Sequence, residues 1–371
     1  MTMRSYHTVD RMQTARLRRA RIGADQGGAL EGRRRSGGTA TVPGLVLRGV
    51  GELVVEPIPE PALGPGEVRL APVAVGICAS DVHGYAGHND RRAPGVVMGH
   101  EAAGTIVEVG AGVELTPGAL VALNPVVVCG DCPSCRSGAT NVCVNRRLYG
   151  CAVGLPGAFA GTMAVRARNV VPMAAGTPIE SAALCEPLAV GTHAAAVAGA
   201  GPERRVVVVG GGIIGLGAAL AARRRGAAQV AVVEPDERRR EIAEGLGFEA
   251  FAPGAAGGHG LFDVAIEAVG HPSSMALALS LTPIRGEVVV VGLADSTIQI
   301  PAAALVMDER RVSGSAVYTD EEFLLTARAV EGGEADLSPI IQDRVALEEL
   351  PGAFAEYARG SRDAMRTMMR G

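Results

Sequence analysis

The sequence predicts an α/β protein with a β-rich domain followed by a doubly wound, parallel-sheet domain. Three observations lead to this prediction. The length of 371 residues exceeds that of one ordinary core. Short β-type runs broken by Pro and Gly fill the chain from Leu45 to about Leu184. From about Pro187 to Val317, buried strands alternate with helical stretches, which is typical of a parallel sheet.

The composition excludes several classes of protein. Aromatic residues make up only 3% and Trp is absent, so nothing indicates a surface that stacks nucleic-acid bases. Apolar runs such as 206–209 and 288–291 are far shorter than the roughly 20 residues of a membrane span. Seven cysteines, four of them within fifteen residues, favour metal binding in a reducing compartment over disulfides. We therefore expect a cytoplasmic protein without a nucleic-acid or membrane partner.

Residues 1–42 carry nine arginines against Asp10, Asp25 and Glu31, with almost no apolar periodicity. We expect a disordered Arg-rich extension, because this segment has little apolar surface to bury. An organelle address, a weak nucleic-acid arm or an upstream start codon would explain the same composition.

The remaining chain divides into three segments. We expect a metal-binding, β-rich domain at 43–186 and a parallel-sheet domain at 187–317. Residues 318–371 carry two helical stretches, Asp320 to Glu331 and again from Glu348, with a short strand-like piece between them. We expect this last segment to rejoin the first domain.

The stretch from Gly76 to Glu101 concentrates reactive side chains. The six positions from 78 to 83 contain Cys78, Ser80, Asp81 and His83, and His100 with Glu101 follows after a loop. A lone Cys or His is usually a structural residue. Together, a thiolate and an imidazole are zinc ligands, and a third protein ligand from elsewhere would leave a fourth position open for substrate.

A second motif joins the apolar run 206–209 to a Gly-rich turn and an Ala/Leu-rich helix. Gly210, Gly212 and Gly215 form G-x-G-x-x-G, and Glu234 ends the next strand. Such glycines let the backbone approach a pyrophosphate at the helix N-terminus, and the acid accepts hydrogen bonds from the adenosine ribose. The motif predicts a Rossmann domain that prefers NAD to NADP. Arg239, in the run 238–240, is a candidate cofactor contact that weakens this preference, although such a run is usually a solvated face.

Four cysteines form a third motif: Cys129, Cys132, Cys135 and Cys143. Their spacing, with Gly and Pro between them, lets four sulfurs converge tetrahedrally on zinc at about 2.3 Å each. A closed site of this kind stabilises a lobe and does not bind substrate. A zinc-ribbon nucleic-acid module is disfavoured because few basic residues lie near it.

Taken together, these motifs resemble the zinc-dependent medium-chain dehydrogenase/reductase family from about Leu45 to Arg370. The resemblance rests on the residues 76–83, on Gly99-His100-Glu101, on the four-cysteine lobe, on residues 186–191 and on the crossover. It implies a GroES-like fold for the first domain and a catalytic zinc with Cys78, His100 and Glu186 as ligands or immediate neighbours. Glu101 would be a ligand that exchanges with water. Glu186, where many alcohol dehydrogenases carry Cys, points to the sorbitol, threonine and butanediol branch, although Cys185 beside it could compete.

The resemblance also implies an activity. We expect a dehydrogenase with one catalytic and one structural zinc that transfers hydride from a secondary alcohol or polyol to NAD and yields a ketone. Sugar alcohols, cyclitols and their phosphates are candidate substrates. Ser80 would accept the substrate's proton and pass it by way of the cofactor ribose to His83. A homodimer or homotetramer is expected.

Two alternatives remain. One is a quinone- or enoyl-reductase-like NAD(P)H enzyme with only a structural zinc; the other is a binding protein without activity on the same scaffold. Arg91 and Arg92 could recognise a phosphorylated or acidic substrate, but we favour a solvated loop at these positions.

Overall fold

The computed structural model describes residues 40–88, 92–295 and 297–371. The expected extension at 1–42 therefore lies almost wholly outside the described residues. The first strand begins at Thr41, two residues before the predicted start of the ordered chain. No helix in the described ranges is long and apolar enough to cross a membrane.

The first part of the chain is built from short strands. They are β1 (Thr41–Gly49), β2 (Glu52–Pro59), β3 (Glu67–Gly76), β4 (Glu101–Val109), β5 (Leu120–Leu123), β6 (Val126–Val127), β7 (Arg147–Leu148), β8 (Met163–Arg166) and β9 (Val170–Pro172). Three short helices accompany them: α1 (Ala79–Tyr85), α2 (Pro133–Arg136) and α3 (Ile179–Ala183). Strands β3, β4, β5, β8 and β9 belong to one seven-stranded sheet. Along β3, Val68, Leu70 and Ala74 alternate with less buried residues, as expected for a strand with one face on a core.

The second part of the chain forms a six-stranded sheet. A helix, α4 (Cys185–Val197), leads into β10 (Arg205–Val209), α5 (Ile213–Arg224), β11 (Gln229–Val233), α6 (Glu237–Gly245), β12 (Glu249–Phe251), β13 (Val264–Glu267), α7 (Pro272–Ser280), β14 (Glu287–Val290), α8 (Ala302–Val306) and β15 (Arg311–Gly314). The strand order is β12-β11-β10-β13-β14-β15 and every pairing is parallel. The predicted fold class is confirmed, because the order reverses between β10 and β13 as in doubly wound sheets.

The last part of the chain returns to the first sheet. It consists of α9 (Asp320–Glu331), β16 (Ile341–Val345), α10 (Leu350–Ala358) and β17 (Arg366–Arg370). Strand β17 pairs antiparallel with β3, with Met369 opposite Val75, and β16 flanks β17. Helix α9 begins with a capping box in which Thr319 and Glu322 satisfy each other's backbone N–H groups. It packs against α4, and Arg328 on it donates to the carbonyl oxygen of Pro172 at the end of β9.

Helices α4 and α5 pack closely through glycines. A methyl group added at Gly191 would lie 2.3 Å from the backbone nitrogen of Ala218, and one added at Gly217 would lie 3.1 Å from Cα of Leu188. Only glycine permits this approach, because a backbone atom cannot move aside as a flexible side chain does.

We predict that Gly191→Ala lowers the free energy of unfolding by about 1–3 kcal/mol, because the methyl group overpacks the α4–α5 contact. Gly352→Ala is the matched control: Gly352 lies within α10 with open space around its Cα, and the change should stabilise by up to about 1 kcal/mol. Urea denaturation of both variants tests this, and equal midpoints would contradict it.

Candidate active site and metal centres

The candidate active site lies where β3 ends and β4 begins. Gly76 and Glu101 are opposite each other in the β3–β4 ladder, so the chain just after β3 meets the residues that start β4. A Cβ at Gly76 would lie 2.4 Å from the Glu101 carboxylate, which explains the glycine. The donor atoms of Cys78, His100 and Glu101 all lie within 4.8 Å of one another, and His100 and Glu101 are buried.

The His100 imidazole is oriented by a carboxylate that the sequence analysis left without a role. Asp81 Oδ2 lies 3.1 Å from His100 Nδ1, and both side chains are buried. Burial alone would lower the pKa of His100, but Asp81, Cys151 and Cys78 together outweigh burial and hold this pKa well above its usual value. A carboxylate on one imidazole nitrogen leaves the other nitrogen for a metal, as in many zinc sites. Cys151, also not predicted, has its sulfur 3.8 Å from the same Nδ1.

The expectation of a solvated loop was wrong for Arg92. Its side chain is only 5% exposed, and its guanidinium donates to Asp81 Oδ1 from Nε at 2.9 Å and from Nη2 at 2.7 Å. Nη2 also lies 3.2 Å from Ser80 Oγ. A buried carboxylate needs a counter-charge, and Arg92 supplies it. Arg91 lies outside the described residues.

Glu101 has a counter-charge of its own. Arg366 Nη1, on β17, lies 3.0 Å from Glu101 Oε2, and both side chains are at most 5% exposed. Arg366 also donates to the carbonyl oxygen of Ile77. Although the ion pair is close, Glu101 Oε2 accepts no well-aligned hydrogen bond from the described residues. A buried oxygen in this condition fits a place beside a cation.

Glu186 is buried near this group but outside the 4.8 Å cluster. Its Oε1 accepts a hydrogen bond of 3.1 Å from the Tyr318 hydroxyl, and Tyr318 is 1% exposed. Burial raises the pKa of Glu186 to about 7, and the nearby Glu101 carboxylate acts in the same direction. The Glu186 carboxylate does not cap α4, because this helix begins after Leu184 without a side-chain cap. Cys185 is fully buried in the apolar core and belongs to none of the donor groups.

Ser80 and His83 lie on α1, directly after Cys78. Ser80 Oγ lies 3.2 Å from Cys78 Sγ, so its hydroxyl is part of the same site. His83 is farther out: its Nδ1 lies 3.4 Å from His88 Nδ1 at an exposed position. Burial and the neighbouring His88 lower the pKa of His83, which favours the neutral imidazole near pH 7.

The four-cysteine lobe has the geometry of a closed zinc site. The sulfur of Cys143 lies 3.5 Å from that of Cys129 and 3.9 Å from that of Cys132, and the sulfurs of Cys129 and Cys135 are 3.9 Å apart. Four sulfurs around zinc at about 2.3 Å would be separated by about 3.8 Å. The backbone N–H of Cys135 lowers the pKa of Cys132 to about 6, which favours the thiolate that a metal requires. The residues present therefore fit zinc.

The glycine-rich crossover has the form expected of a dinucleotide site. Gly210 has φ +109°, and a Cβ at Gly215 would lie 1.8 Å from the Gly210 carbonyl oxygen. Gly212 is the N-cap of α5 and no side chain caps this helix, so its first N–H groups are available to an anion. Glu234, buried at the end of β11, accepts hydrogen bonds from Gly211 N at 2.7 Å and Asp236 N at 3.0 Å. Both backbone donors fix its carboxylate beside the turn.

Arg239 is a partly exposed residue near the start of α6. Its guanidinium faces Asp363 at 3.8 Å, and Arg238 faces the same carboxylate at 3.9 Å. Asp363 precedes β17, so this pairing joins α6 to the last segment of the chain. No contact between Arg239 and Glu234 occurs among the described residues' hydrogen bonds and ion pairs.

Comparison with known proteins agrees with this geometry. The sequence profile of the alcohol dehydrogenase GroES-like domain matches residues 64–175, and that of zinc-binding dehydrogenases matches 214–331. The L-idonate 5-dehydrogenase of Vitis vinifera is 33% identical over 335 residues, which cover 85% of this chain and 91% of that protein. The sorbitol dehydrogenase of Arabidopsis thaliana is 33% identical over 339 residues, 85% of this chain and 92% of that protein.

Solved structures share the fold. A zinc-binding dehydrogenase from Sinorhizobium meliloti, bound to NADP, superposes with a TM-score of 0.81 at 27% identity. The match covers 90% of this chain and all of that one.

We predict that Arg366→Met lowers the free energy of unfolding by about 3–5 kcal/mol, because it leaves the Glu101 carboxylate buried without its counter-charge. Arg370→Met, on the same strand, removes an exposed arginine 3.4 Å from Glu180 and should change stability by less than about 1 kcal/mol. Urea denaturation of the two variants measures the difference. An Arg366→Met protein as stable as the Arg370→Met protein would show that Glu101 does not depend on this pair.

Proposed function

This chain belongs to the zinc-binding dehydrogenase family, and we propose that it oxidises a secondary alcohol or polyol to a ketone with NAD. The resemblance inferred from the motifs is confirmed, and so is the expectation of a dehydrogenase. The observation that carries the proposal is the close group of Cys78, His100 and Glu101, of which His100 and Glu101 are buried, in a chain that also has the dinucleotide crossover. The relatives named for sorbitol and L-idonate favour a polyol or sugar acid as substrate.

Two groups that the chain would hold supply the chemistry. Zinc, when held by Cys78, His100 and Glu101, lowers the pKa of an alcohol hydroxyl, and NAD at the crossover accepts hydride. The chain's own residues orient these parts. Asp81 fixes the His100 ring, and Arg92 fixes Asp81. Arg366 holds the Glu101 carboxylate in place.

The proton of the substrate hydroxyl needs an acceptor, and we assign this role to Ser80. Its hydroxyl lies beside Cys78 and receives a contact from Arg92 Nη2, whose positive charge stabilises negative charge on the oxygen. Ser80 would give up its own hydroxyl proton as it accepts that of the substrate, and His83, on the same helix and closer to solvent, would release a proton to water.

The alternative of a reductase with only a structural zinc leaves the buried donor group without a purpose. Alcohol-dependent reduction of NAD, tested with secondary alcohols, polyols, cyclitols and sugar acids, separates it from the proposed dehydrogenase. A chain that binds NAD but oxidises none of them would favour the binding protein.

We further propose the domain boundaries, the cellular compartment and the oligomeric state. The domains are expected at 43–186 and 187–317, with 318–371 returning to the first domain; the pairing of β17 with β3 supports this. Seven cysteines without a disulfide among the described residues support a reducing, cytoplasmic compartment. A homodimer or homotetramer is expected.

The first prediction from the proposed function concerns metal. Freshly purified protein should contain two zinc ions per chain by elemental analysis. Cys132→Ser should lower the melting temperature, because a closed four-sulfur site contributes to folding. Cys78→Ser should abolish alcohol oxidation with the melting temperature nearly kept. Protein with one zinc or none per chain would contradict the two-site assignment.

The second prediction concerns the cofactor. Glu234 repels a 2′-phosphate and accepts from the ribose, so kcat/KM should be higher with NAD than with NADP. Glu234→Ala should reduce the ratio of kcat/KM with NAD to kcat/KM with NADP by at least about tenfold. This corresponds to a loss of about 1.4 kcal/mol in the free-energy difference between the two cofactors. Glu237→Ala, exposed in the first turn of α6, is the control and should leave the ratio unchanged. A wild-type preference for NADP would refute the assignment.

The third prediction concerns Glu186. We propose that its carboxylate serves the metal site, alternating with Glu101, and that this suits substrates with two neighbouring oxygens. Glu186→Gln should lower kcat by at least about tenfold with little change in melting temperature. Glu321→Gln, exposed at the start of α9, should leave kcat unchanged. Unaltered turnover of the Glu186 variant, or a preference of the wild type for simple primary alcohols, would contradict this role.

A further inference from the structure

The segment 316–322, which carries Tyr318, is held by side chains from three other parts of the chain. Asn141 Nδ2 donates to the Ala316 carbonyl oxygen at 3.0 Å. Asn124 Nδ2 donates to Asp320 Oδ1 at 3.0 Å. His193 Nδ1 lies 3.0 Å from both carboxylate oxygens of Glu322. The hydroxyl that reaches Glu186 therefore stands on a segment tied down on both sides of Tyr318.

The backbone immediately before Tyr318 needs this support. Val317 has φ +53°, a left-handed conformation that a β-branched residue rarely adopts. Such a conformation persists only where surrounding contacts impose it, and it occurs most often at functional sites. The contact on the carbonyl of Ala316, one residue earlier, acts directly on this turn.

Asn141 connects two of the side-chain contacts that hold the segment 316–322. Its Nδ2 donates to the Ala316 carbonyl and also lies 3.1 Å from His193 Nε2. An amide nitrogen carries two hydrogens, so it can donate to both acceptors. His193 then holds its own proton on Nδ1 and donates it to Glu322, which leaves Nε2 to accept from Asn141. Each of these donors has an acceptor in a partly buried bridge, which is the condition for a rigid network.

Asn141 is also part of the four-cysteine lobe. It is the middle residue of a 3₁₀ turn, Thr140–Val142, that lies between Cys135 and Cys143. The backbone N–H of Cys143 donates to the Thr140 carbonyl oxygen at 3.1 Å. A metal that fixes the Cys143 sulfur therefore fixes the turn that carries Asn141, which is 6% exposed.

We propose that Asn141 is a positioning residue that couples metal binding in the four-cysteine lobe to the orientation of Tyr318 and, through its hydroxyl, of Glu186. The lobe then has a second role besides stability. The expected change in turnover rests on the proposed function. The coupling between the lobe and residues 316–322 is structural and does not depend on it.

The test compares Asn141→Ala with Asn145→Ala. Asn145 lies two residues beyond Cys143 and is exposed, without a side-chain hydrogen bond among the described residues. In Asn141→Ala, hydrogen exchange of the amides of 316–322 should become about tenfold faster, because local opening there costs less. The zinc content should stay that of the wild type. With an active enzyme, kcat should fall several-fold while KM for NAD is kept. Asn145→Ala should match the wild type in each measurement.

A second experiment removes the metal of the four-cysteine lobe. Cys132→Ser should accelerate exchange of 316–322 to a similar extent, and adding Asn141→Ala to it should have little further effect, because both changes break one connection. Additive effects, or wild-type exchange of 316–322 in Asn141→Ala with zinc retained, would overturn the proposal.

If Asn141→Ala loses the lobe zinc or fails to fold, His193→Ala decides, since it breaks the same bridge from α4 and leaves every residue of the lobe unchanged. Unchanged exchange of 316–322 in that variant would overturn the coupling, and faster exchange with full zinc content would support it. A protein that oxidises no alcohol would refute the proposed function, whereas the exchange and zinc measurements would still decide the coupling.

Discussion

Two buried carboxylates define the arrangement of the candidate site. Asp81 is completely buried and Glu101 is 1% exposed. A carboxylate removed from water without a counter-charge costs several kcal/mol, so each needs a cation from the protein. Arg92 meets Asp81, and Arg366 meets Glu101. His100 lies beside both pairs, with its Nδ1 3.1 Å from Asp81 Oδ2. The charges therefore fix the geometry of the donor group.

This constraint explains why the chain end must return to the first sheet. Strand β17 inserts beside β3, which is itself beside β4, and so brings Arg366 next to Glu101 at the start of β4. Without this return, Glu101 would lack its counter-charge and the carbonyl of Ile77 would lose a donor. The loop before His100 supplies the other arginine. The site is thus assembled from segments that are adjacent only in the folded sheet.

What could be predicted from the sequence is what depends on local signals. The apolar run before Gly210 gave a strand, and α9 occupies the predicted Asp320–Glu331, with Thr319 and Glu322 at its start. The four cysteines could be grouped by spacing alone. Tyr318 could not be predicted as a partner of Glu186, because 132 residues separate them and neither neighbourhood contains a motif for the contact.

The burial of charged side chains could not be predicted from the sequence either. Arg92 belongs to a polar loop in the sequence, and only the position of Asp81 in the fold shows that it faces inward. Glu186 is the second residue of α4, and its carboxylate turns to Tyr318. The error at Arg92 arises because a pair of arginines has the same local pattern at the surface and in the core.

The two candidate metal centres differ in how much chain they must bring together. The four sulfurs of the lobe lie between Cys129 and Cys143, so the lobe forms by closing one short loop. The active-site donors come from the ends of two strands, and β17 and the segment around Tyr318 complete their surroundings. Closing a short loop costs less conformational entropy than assembling distant segments. The lobe can therefore form before the active site does. Because Asn141 reaches from the lobe to the Ala316 carbonyl, a centre that forms locally can supply a fixed point for one that cannot.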